Sequence, residues 1–311
     1  MSRTLPARVT SRRQVADGVV ELELIGEREP LPSWEPGAHA DVHLPNGMVR
    51  QYSLMPGKAD PMAWRIAVLV ESEGRGGSKY LGEKASEGMI LSVGEPRNHF
   101  TVDLAPRFDF IGGGIGVTPL LSMIAFAEEA GTELELHYLG RSRSHLAYVG
   151  ELLERYPDRV TLHLADEGTR IDLNAHLAAL PLDTDVYSCG PERLLDALEA
   201  SLGDSDRLHV ERFSPKPQEF LPNRAFTVVA ARSGVEFDVP EDESILVAAD
   251  FEGIEVEGDC LEGTCGSCET QIIDGEIEHR DSILTPRQRR DGACMMICVS
   301  RAISDRIVLD L

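Results

Sequence analysis

Four cysteines in the last quarter of the chain have the spacing of iron–sulfur ligands. Cys260, Cys265 and Cys268 form a C-x4-C-x2-C motif, and Cys298 follows 30 residues later. Four thiolates hold the two irons and two sulfides of a plant-type [2Fe–2S] cluster, which uses this spacing. The glycines of the loop lack a Cβ, so its backbone can curl and turn N–H groups toward the sulfurs.

A zinc knot, a disulfide pair or ordinary buried cysteines are the alternatives. Structural zinc sites usually bring their ligands in two short-spaced pairs, and Cys298 has such a partner only if Cys294 supplies it. Cys294 lies in the apolar run 293–299, where a cysteine is typical of a core residue. A long loop with one distant ligand favours the iron–sulfur interpretation.

The bulk composition indicates a globular protein of two or three domains. The chain has 311 residues, 42% hydrophobic and 27% charged. No apolar run is long enough to span a bilayer, and the N-terminus lacks the apolar core of a signal peptide, so a cytoplasmic protein without a membrane partner is expected. In that compartment six cysteines are expected to be reduced and ligating.

The charge is strongly negative and unevenly distributed. The net charge is −23, which argues against nucleic acid and anionic membrane surfaces as partners. Residues 226–311 contain 19 Asp and Glu against 7 Arg, a net charge of −12. This segment is either a solvated acidic face or a docking surface for a basic partner.

The first hundred residues have the pattern of a small antiparallel barrel. Alternating or apolar strands are predicted at 19–24, 40–44, 65–70 and 89–93, with a turn at 45–48. Arg50, Tyr52 and Ser53 lie at the end of a further strand, and Gly77-Ser78 leads directly into a helix-like stretch. A helix N-terminus and an arginine together suit a phosphate, although each piece alone also fits a capped turn.

Strands and helices then alternate as in a parallel sheet with crossover helices. Five strands are predicted at 108–111, 135–139, 160–164, 185–188 and 208–213, with helices at 119–130 and 191–202. The first strand-to-helix turn contains Gly113, Gly114 and Gly116, which let the backbone approach a pyrophosphate. The motif is G-x-G-x-x-P instead of G-x-G-x-x-G. The prediction of a nucleotide site therefore depends on the position of the motif between a strand and a helix.

Two further segments complete the chain. Cys189-Gly190-Pro191 lies at the carboxyl end of a strand, the edge where open α/β sheets bind ligands, although Cys189 also fits a small buried residue. Residues 214–225 are Pro-rich and predict a semi-rigid linker. After it, a hairpin around Ser233 and Gly234, a helix at 244–251, the cysteine loop, two more strands and a last strand at 307–311 are predicted.

The motifs and their order resemble the phthalate dioxygenase reductase group within the ferredoxin–NADP reductase superfamily, over nearly the whole chain. This resemblance implies a multidomain protein. An antiparallel β-barrel flavin domain would span 1–104 and an α/β parallel-sheet NAD(P)-binding domain 105–213. The linker at 214–225 would lead to an α+β β-grasp plant-type ferredoxin domain at 226–311 that holds a [2Fe–2S] cluster on the four cysteines.

The resemblance also implies roles for single residues. Ser53 would hydrogen-bond the flavin N5, Thr118 would lie near the flavin and Cys189 would border the nicotinamide, which makes these three the catalytic candidates. The other residues expected around the flavin are Arg50, Tyr52, Ala67, Val68, Leu69, Gly76, Gly77, Ser78 and Phe213, the last covering its face. Those expected around the nicotinamide nucleotide are Gly113, Gly114, Gly116, Thr118, Pro119, Arg141, Arg143, Cys189, Gly190 and Pro191.

The resemblance implies FMN instead of FAD, because the Gly-Gly-Ser segment and the Arg50 motif go with FMN in this family. The second strand of the α/β segment ends without the carboxylate that NAD-binding folds usually place there. Arg141 and Arg143 lie there instead and suit the 2′-phosphate of NADPH. The family prefers NADH, so NADH is expected and NADPH stays open.

The sequence predicts no second set of metal ligands and contains no Rieske C-x-H pair, so its electrons are expected to leave to another protein. The expected partner of a monomeric reductase is a separate terminal oxygenase, of the Rieske hydroxylase or demethylase type, with a cytochrome P450 as the alternative. A redox sensor and an electron-transfer module with a degenerate nucleotide domain are the competing classes. Neither of them predicts NADH-dependent reduction of ferricyanide or cytochrome c.

Overall fold

The computed structural model describes residues 4–58, 60, 62–71 and 73–311. The chain forms two compact units, one that ends at Glu211 and one from Arg212 to Leu311. The N-terminal unit contains two sheets with separate topologies. In the described residues no helix is both long and apolar enough to cross a membrane.

The first sheet of the N-terminal unit is antiparallel and has seven strands. They are β1 (Leu5–Ala16), β2 (Val19–Gly26), β3 (His39–His43), β4 (Val49–Ser53), β5 (Met55–Pro56), β6 (Trp64–Leu69) and β7 (Ile90–Val93), with helix α1 (Gly77–Lys84) before the last. Their order is β4-β3-β7-β1-β2-β6-β5. Since the two outermost strands are joined by Leu54 alone, the sheet must curl until its edges meet, as the barrel prediction requires.

The second sheet is parallel throughout and has five strands. It consists of β8 (Arg107–Gly113), β9 (Glu133–Gly140), β10 (Val160–Leu164), β11 (Thr184–Cys189) and β12 (Leu208–Glu211), in the order β10-β9-β8-β11-β12. The helices are α2 (Val117–Glu129), α3 (Val149–Arg155), α4 (Leu173–Ala179) and α5 (Glu192–Leu202). The strand order reverses between β8 and β11, which creates a crevice at their carboxyl ends.

The barrel and the parallel sheet share part of one hydrophobic core. Met55 and Ala67 of the barrel belong to the same buried cluster as Val117 and Leu120 of α2. The barrel interior is filled by a second cluster that includes Leu22, Trp64 and other apolar residues. The shared core therefore places the N-terminus of α2 beside the barrel strands that follow Ser53.

The C-terminal unit is a mixed sheet with two short helices. Its strands are β13 (Phe226–Ala230), β14 (Val235–Val239), β15 (Glu269–Asp274), β16 (Ile277–Glu278), β17 (Cys294–Met296), β18 (Arg301–Ala302) and β19 (Arg306–Leu309), and its helices are α6 (Ile245–Phe251) and α7 (Pro286–Asp291). The main sheet has the order β14-β13-β19-β15-β17, with β13 and β19 parallel. This arrangement is the α+β ferredoxin fold that was predicted.

Several predicted boundaries differ from the structure. Helix α2 begins at Val117 and not at Pro119, and β12 ends at Glu211 and not at Phe213. Two more strands were predicted between the cysteine loop and the last strand, but β15, β16, β17 and β18 lie there, and α7 was missed. Short elements escape prediction because two to six residues contain too little periodicity.

The segment predicted as a linker is hydrogen-bonded to the C-terminal unit. The Lys216 backbone N–H donates to Ser282 Oγ at 2.8 Å and the Leu221 backbone N–H to Glu278 Oε1 at 2.6 Å. The Arg280 guanidinium lies 4.8 Å from the centre of the Phe220 ring. Much of this Pro-rich segment is therefore anchored to the ferredoxin-like unit.

Candidate functional site

Arg50 and the start of α1 lie side by side in the barrel. A Cβ added to Gly77 would be 2.7 Å from Arg50 Nε and 3.0 Å from its Cζ, so the guanidinium lies directly against the first residue of the helix. Gly76 precedes the helix with φ 94°, a conformation that favours glycine, and the first turn contains no acidic residue. The predicted phosphate site therefore has its cation and its free N–H groups together.

Ser53 has a buried hydroxyl without a protein partner. The residue is 6% exposed, and its Oγ has no hydrogen-bond partner among the described residues. Leaving such a group unpaired costs about 1–3 kcal/mol, so a ligand with a hydrogen-bonding edge fits here. A flavin ring, with its N5, is such a ligand.

The backbone edge of β6 beside β4 is open. Strand β6 pairs with β2 from Trp64 to Leu69, but with β5 only at Trp64 and Arg65. The outer edge of Ala67, Val68 and Leu69 therefore has no strand partner in the described part of the barrel. These backbone groups can contact a flavin as predicted, whereas the Val68 side chain is fully buried and cannot.

Ser78 and Tyr52, which are also predicted to contact the flavin, each have a structural role in the barrel. Ser78 Oγ accepts a hydrogen bond from the Glu71 backbone N–H at 3.2 Å, which ties α1 to the end of β6. Tyr52 is mostly buried on β4, and burial raises the pKa of its phenol, so the ring stays neutral. Tyr52 lies between Arg50 and Ser53 in the chain, and Ser78 follows Gly77, which contacts Arg50.

The two glycine turns of the parallel sheet meet at the reversal of strand order. A Cβ on Gly116 would be 2.3 Å from the Cys189 carbonyl oxygen, and one on Gly113 would be 2.4 Å from Pro191 Cδ. A Cβ on Gly190 would be 2.9 Å from the Gly113 Cα and backbone nitrogen. The structure therefore brings together the two segments that the sequence singled out separately, and it explains why glycine occupies these positions.

Gly114 lies at the open side of this crevice. It has φ 56°, and a Cβ built there would meet nothing within 4 Å, so its backbone is accessible to a ligand. Tyr138 Oη donates to the carbonyl oxygens of Gly114 and Ala147, at 3.0 and 3.1 Å, which holds the turn in place. Thr118 Oγ1 donates to the Ile115 carbonyl oxygen at 3.0 Å. The turn thus has the shape that the predicted pyrophosphate site at the N-terminus of α2 requires. Thr118 and Pro119 lie in the first turn of this helix.

Arg141 and Arg143 follow the carboxyl end of β9. Both side chains are exposed, and β9 is the strand next to β8. They lie at the same edge of the sheet as the Gly113–Gly116 turn, because the carboxyl ends of parallel strands share one edge. Their position fits the adenosine side of a dinucleotide.

Glu211 is a residue of this site that the sequence did not predict. It ends β12 and lies opposite Cys189 in the strand register. Its Oε2 is buried without a partner among the described residues, and burial raises its pKa to about 8. Burial also raises the pKa of the Cys189 thiol. A neutral acid and a neutral thiol therefore border the crevice, and only the pairing of β11 with β12 reveals the acid.

The four predicted cluster ligands converge in the C-terminal unit. Cys260 contacts the thiols of Cys265 and Cys298, which lower its pKa, and Cys298 lowers the pKa of Cys268 in the same way. Cys265 and Cys268 are each 1% exposed. None of the six cysteines, all within the described residues, forms a disulfide. Four thiols that contact one another in this way are a suitable ligand set for two irons.

The shape of the cysteine loop depends on residues with positive φ. Leu261, Gly263 and Gly266 have φ of 58°, 69° and 76°. A Cβ on Gly263 would be 2.7 Å from Val299 Cγ2, so the loop passes too close to Val299 for a residue with a side chain at position 263. The Glu262 backbone N–H donates to Cys260 Sγ at 3.4 Å, as expected for N–H groups that face cluster sulfurs.

Phe213 is the predicted site residue for which the structure supplies no role. It is 48% exposed and belongs to the C-terminal unit. Its expected position over the flavin stays a prediction.

Comparisons with known proteins agree with the fold and the sites. Residues 228–302 match the family described as 2Fe-2S iron-sulfur cluster binding domain. The toluene-4-sulfonate monooxygenase system reductase subunit TsaB1 of Comamonas testosteroni is 38% identical over 320 residues, with all of both chains covered. The crystal structure of phthalate dioxygenase reductase is 35% identical, with a TM-score of 0.70 and 99% of this chain and 98% of that chain covered.

A larger protein also contains a similar portion. An intact type IV self-sufficient cytochrome P450 monooxygenase is 39% identical, with a TM-score of 0.93 over 99% of this chain. The present chain spans 41% of that structure's chain.

The chain belongs to the phthalate dioxygenase reductase-type family of oxygenase reductase subunits. It is an oxidoreductase with a flavin-binding β domain, a nicotinamide-nucleotide-binding α/β domain and a [2Fe–2S] ferredoxin domain.

Proposed function

We propose that this protein oxidises NADH, uses FMN as its flavin and delivers electrons singly through the [2Fe–2S] cluster to a separate terminal oxygenase. One observation carries the proposal: a single chain joins the Arg50–Gly77 cradle, the meeting glycine turns and the four converging thiols. FMN accepts a hydride as an electron pair and releases single electrons, which matches the one-electron capacity of the cluster.

In this scheme the residues of the chain bind and orient the flavin and the nucleotide. Arg50 and the N-terminus of α1 hold the flavin phosphate, which is a terminal group in FMN and favours that flavin. Ser53 donates its unpaired hydroxyl to the N5 edge. The Gly114 turn would hold the pyrophosphate of NADH, and Cys189 and Glu211 would border the nicotinamide at the carboxyl ends of β11 and β12.

The order of electron arrival tests the scheme. Acid-extracted flavin is expected to be FMN, at one per chain with two irons and two sulfides, and anaerobic mixing with NADH is expected to bleach the flavin before the cluster. A cluster that is reduced first, or a chain that extracts FAD, contradicts the respective part of the proposal. Higher kcat/KM with NADPH than with NADH would assign Arg141 and Arg143 to a 2′-phosphate.

Ser53→Ala tests the hydrogen bond to the flavin. We expect flavin reduction to slow by roughly tenfold or more while the NADH dissociation constant changes little, because a hydroxyl that donates to N5 would draw electron density from the atom that receives the hydride and so favour reduction more than nucleotide binding. Tyr52→Phe, which keeps the ring, is the matched control. Equal loss of rate and of NADH affinity would count against this role of Ser53.

The terminal acceptor is proposed to be a Rieske-type hydroxylase or demethylase, as the family resemblance implies. The likeness to part of a self-sufficient cytochrome P450 monooxygenase supports a P450 as the second candidate. Anaerobic reconstitution with a purified acceptor of each type separates them, through bleaching of the Rieske spectrum or appearance of the ferrous–CO band. The six cysteines without disulfides fit a cytoplasmic protein, and the family resemblance implies a monomer.

A further inference from the structure

Three histidines and an aspartate cluster on the α4-covered face of the parallel sheet. Asp109 lies in β8, His137 in β9, His163 in β10 and His176 in α4. Asp109 precedes Gly113 by four residues, which is about 13 Å along a strand. The cluster is thus separate from the glycine turns that bind the nucleotide.

The potential ligand atoms converge. His176 Nε2 is 2.9 Å from Asp109 Oδ2, and His137 Nε2 is 3.6 Å from Asp109 Oδ1. One nitrogen or oxygen atom from each of these three residues lies within 4.8 Å of the others. Asp109 is 1% and His137 9% exposed, so the cluster is not a chance grouping of surface side chains.

Two of these atoms are buried and unpaired. Asp109 Oδ1 and His137 Nε2 have no hydrogen-bond partner among the described residues. On its other side, His137 Nδ1 lies 3.0 Å from His163 Nε2. When Nδ1–H donates to His163, the Nε2 lone pair of His137 faces a carboxylate oxygen, and a cation between them removes that conflict.

We propose that Asp109, His137 and His176 bind one divalent ion of the zinc class. Imidazole nitrogens with one carboxylate are ligands that zinc takes at about 2.0–2.2 Å, whereas magnesium and calcium select all-oxygen shells. Glu135 Oε2, 3.7 Å from His137 Nε2, or a water completes the tetrahedron. His163 orients His137 as an outer-sphere partner. The ion ties α4 to β8 and β9 and serves the stability of the nucleotide domain.

A proton competes with the metal ion. The hydrogen bond to Asp109 raises the pKa of His176, which favours a proton at this position over a metal ion. Burial lowers the pKa of His137 and of His163, which favours the neutral form that metal ligation requires. A protonated His176–Asp109 ion pair is therefore the alternative state of the cluster.

Zinc analysis of the holoenzyme tests the proposal. Protein with full iron and sulfide content is equilibrated with zinc buffers and desalted, and zinc is then measured beside iron. One zinc per chain is expected, with a K-edge spectrum that shows only nitrogen and oxygen neighbours. Sulfur neighbours near 2.3 Å would place the ion on cysteines and overturn the proposal.

Variants locate the ion. Asp109→Asn and His176→Gln are expected to weaken zinc binding at least tenfold, and His163→Gln roughly 10–100-fold through loss of the orienting hydrogen bond. His209→Gln is the matched control: it is a histidine of the same sheet, 3.9 Å from Asp185, outside the cluster. Equal zinc affinity in all four variants, or no zinc bound by the parent protein, overturns the proposal. Should Asp109→Asn not fold, the Tm is measured with and without zinc at one zinc concentration. The proposal expects zinc to raise the Tm of the parent and of His209→Gln but not of His163→Gln. An equal rise in all three overturns it.

Discussion

Cys294 and Cys298 lie four positions apart, but the structure separates their roles. Cys298 contacts the thiols of Cys260 and Cys268. Cys294 starts β17 and pairs with Gln271 across the sheet, with a pKa that burial and Glu269 raise to about 11. Cys294 contacts the Glu269 carboxylate, whereas Cys298 contacts two other ligand thiols, so the residue scale favours the four-cysteine set and not a Cys294–Cys298 zinc pair.

Cysteine substitutions test this assignment. Cys298→Ser is expected to lose the cluster's visible absorption and most of its two irons, whereas Cys294→Ser keeps both. The iron and sulfide contents and the EPR spectrum after dithionite reduction are the measurements. Loss of iron in Cys294→Ser at unchanged protein fold would restore Cys294 as a ligand candidate.

Glu211 predicts a pH dependence of stability. Burial raises its pKa from 4.5 to about 8, so the native state keeps a proton that the unfolded chain releases above pH 4.5. The free energy of unfolding therefore falls as pH rises from 4.5 to 8, by up to about 1.4 kcal/mol per pH unit from this group. Glu211→Gln is expected to flatten this fall, measured as urea midpoints at pH 6 and pH 8 without nucleotide. An unchanged slope would show that Glu211 is ionised in the folded protein.

At the scale of elements, the close approach of two loops forms the nucleotide crevice. Gly116 has φ −62°, so alanine is compatible with its own backbone. The added Cβ would, however, lie 2.3 Å from the Cys189 carbonyl oxygen, 2.4 Å from its carbonyl carbon and 2.6 Å from the Gly190 nitrogen. That overlap forces β11 and the α2 turn apart. The cost of such overpacking is typically about 1–3 kcal/mol.

Gly116→Ala is therefore expected to destabilise the N-terminal unit by about 1–3 kcal/mol and to weaken NADH binding by roughly tenfold or more. Flavin release on heating reports the first effect and an NADH titration the second. Gly150→Ala is the control, because a Cβ at that position of α3 meets nothing within 4 Å. It should leave NADH binding unchanged and stabilise by up to about 1 kcal/mol. Equal behaviour of the two variants would contradict the steric account.

At the scale of the whole molecule, the acidic charge of the C-terminal unit predicts how transfer to protein acceptors responds to salt. Residues 226–311 have a net charge of −12, and they contain the cluster ligands. A basic acceptor is attracted to this unit, while an anionic one is repelled.

NADH-dependent reduction of cytochrome c, a basic protein, is thus expected to slow roughly tenfold between 20 and 300 mM salt. Reduction of ferricyanide, an anion, should stay level or rise over the same range. Steady-state rates with both acceptors are the measurement, and the ferricyanide series is the control for salt effects on flavin reduction. Parallel salt dependences would show that acidity does not steer the acceptor.

Local patterns were sufficient for much of the fold and part of the sites. The C-x4-C-x2-C loop, the turn before α2 and the sequence of strand and helix periods each depend on neighbours within about 30 residues, and the structure agrees with them. Helix α7 was missed although Thr285 and Gln288 form a capping box, because a six-residue helix has little periodicity. The anchoring of Pro-rich residues to Ser282 and Glu278 was also not predictable, because those partners lie about 60 positions away.

The sequence by itself determined that this chain has four cluster thiolates, a glycine turn between strand and helix, and an acidic C-terminal segment, since composition and spacing are covalent properties. Only the tertiary structure decided that Gly116 must lack a Cβ, that Glu211, with its Oε2 buried, lies opposite Cys189, and that Asp109 meets His137 and His176. These relations join residues 22 to 73 positions apart, and they exist only because strand pairing and helix packing bring such residues into contact. Chain connectivity places no constraint on which distant side chains share a cavity, whereas the packed sheet does.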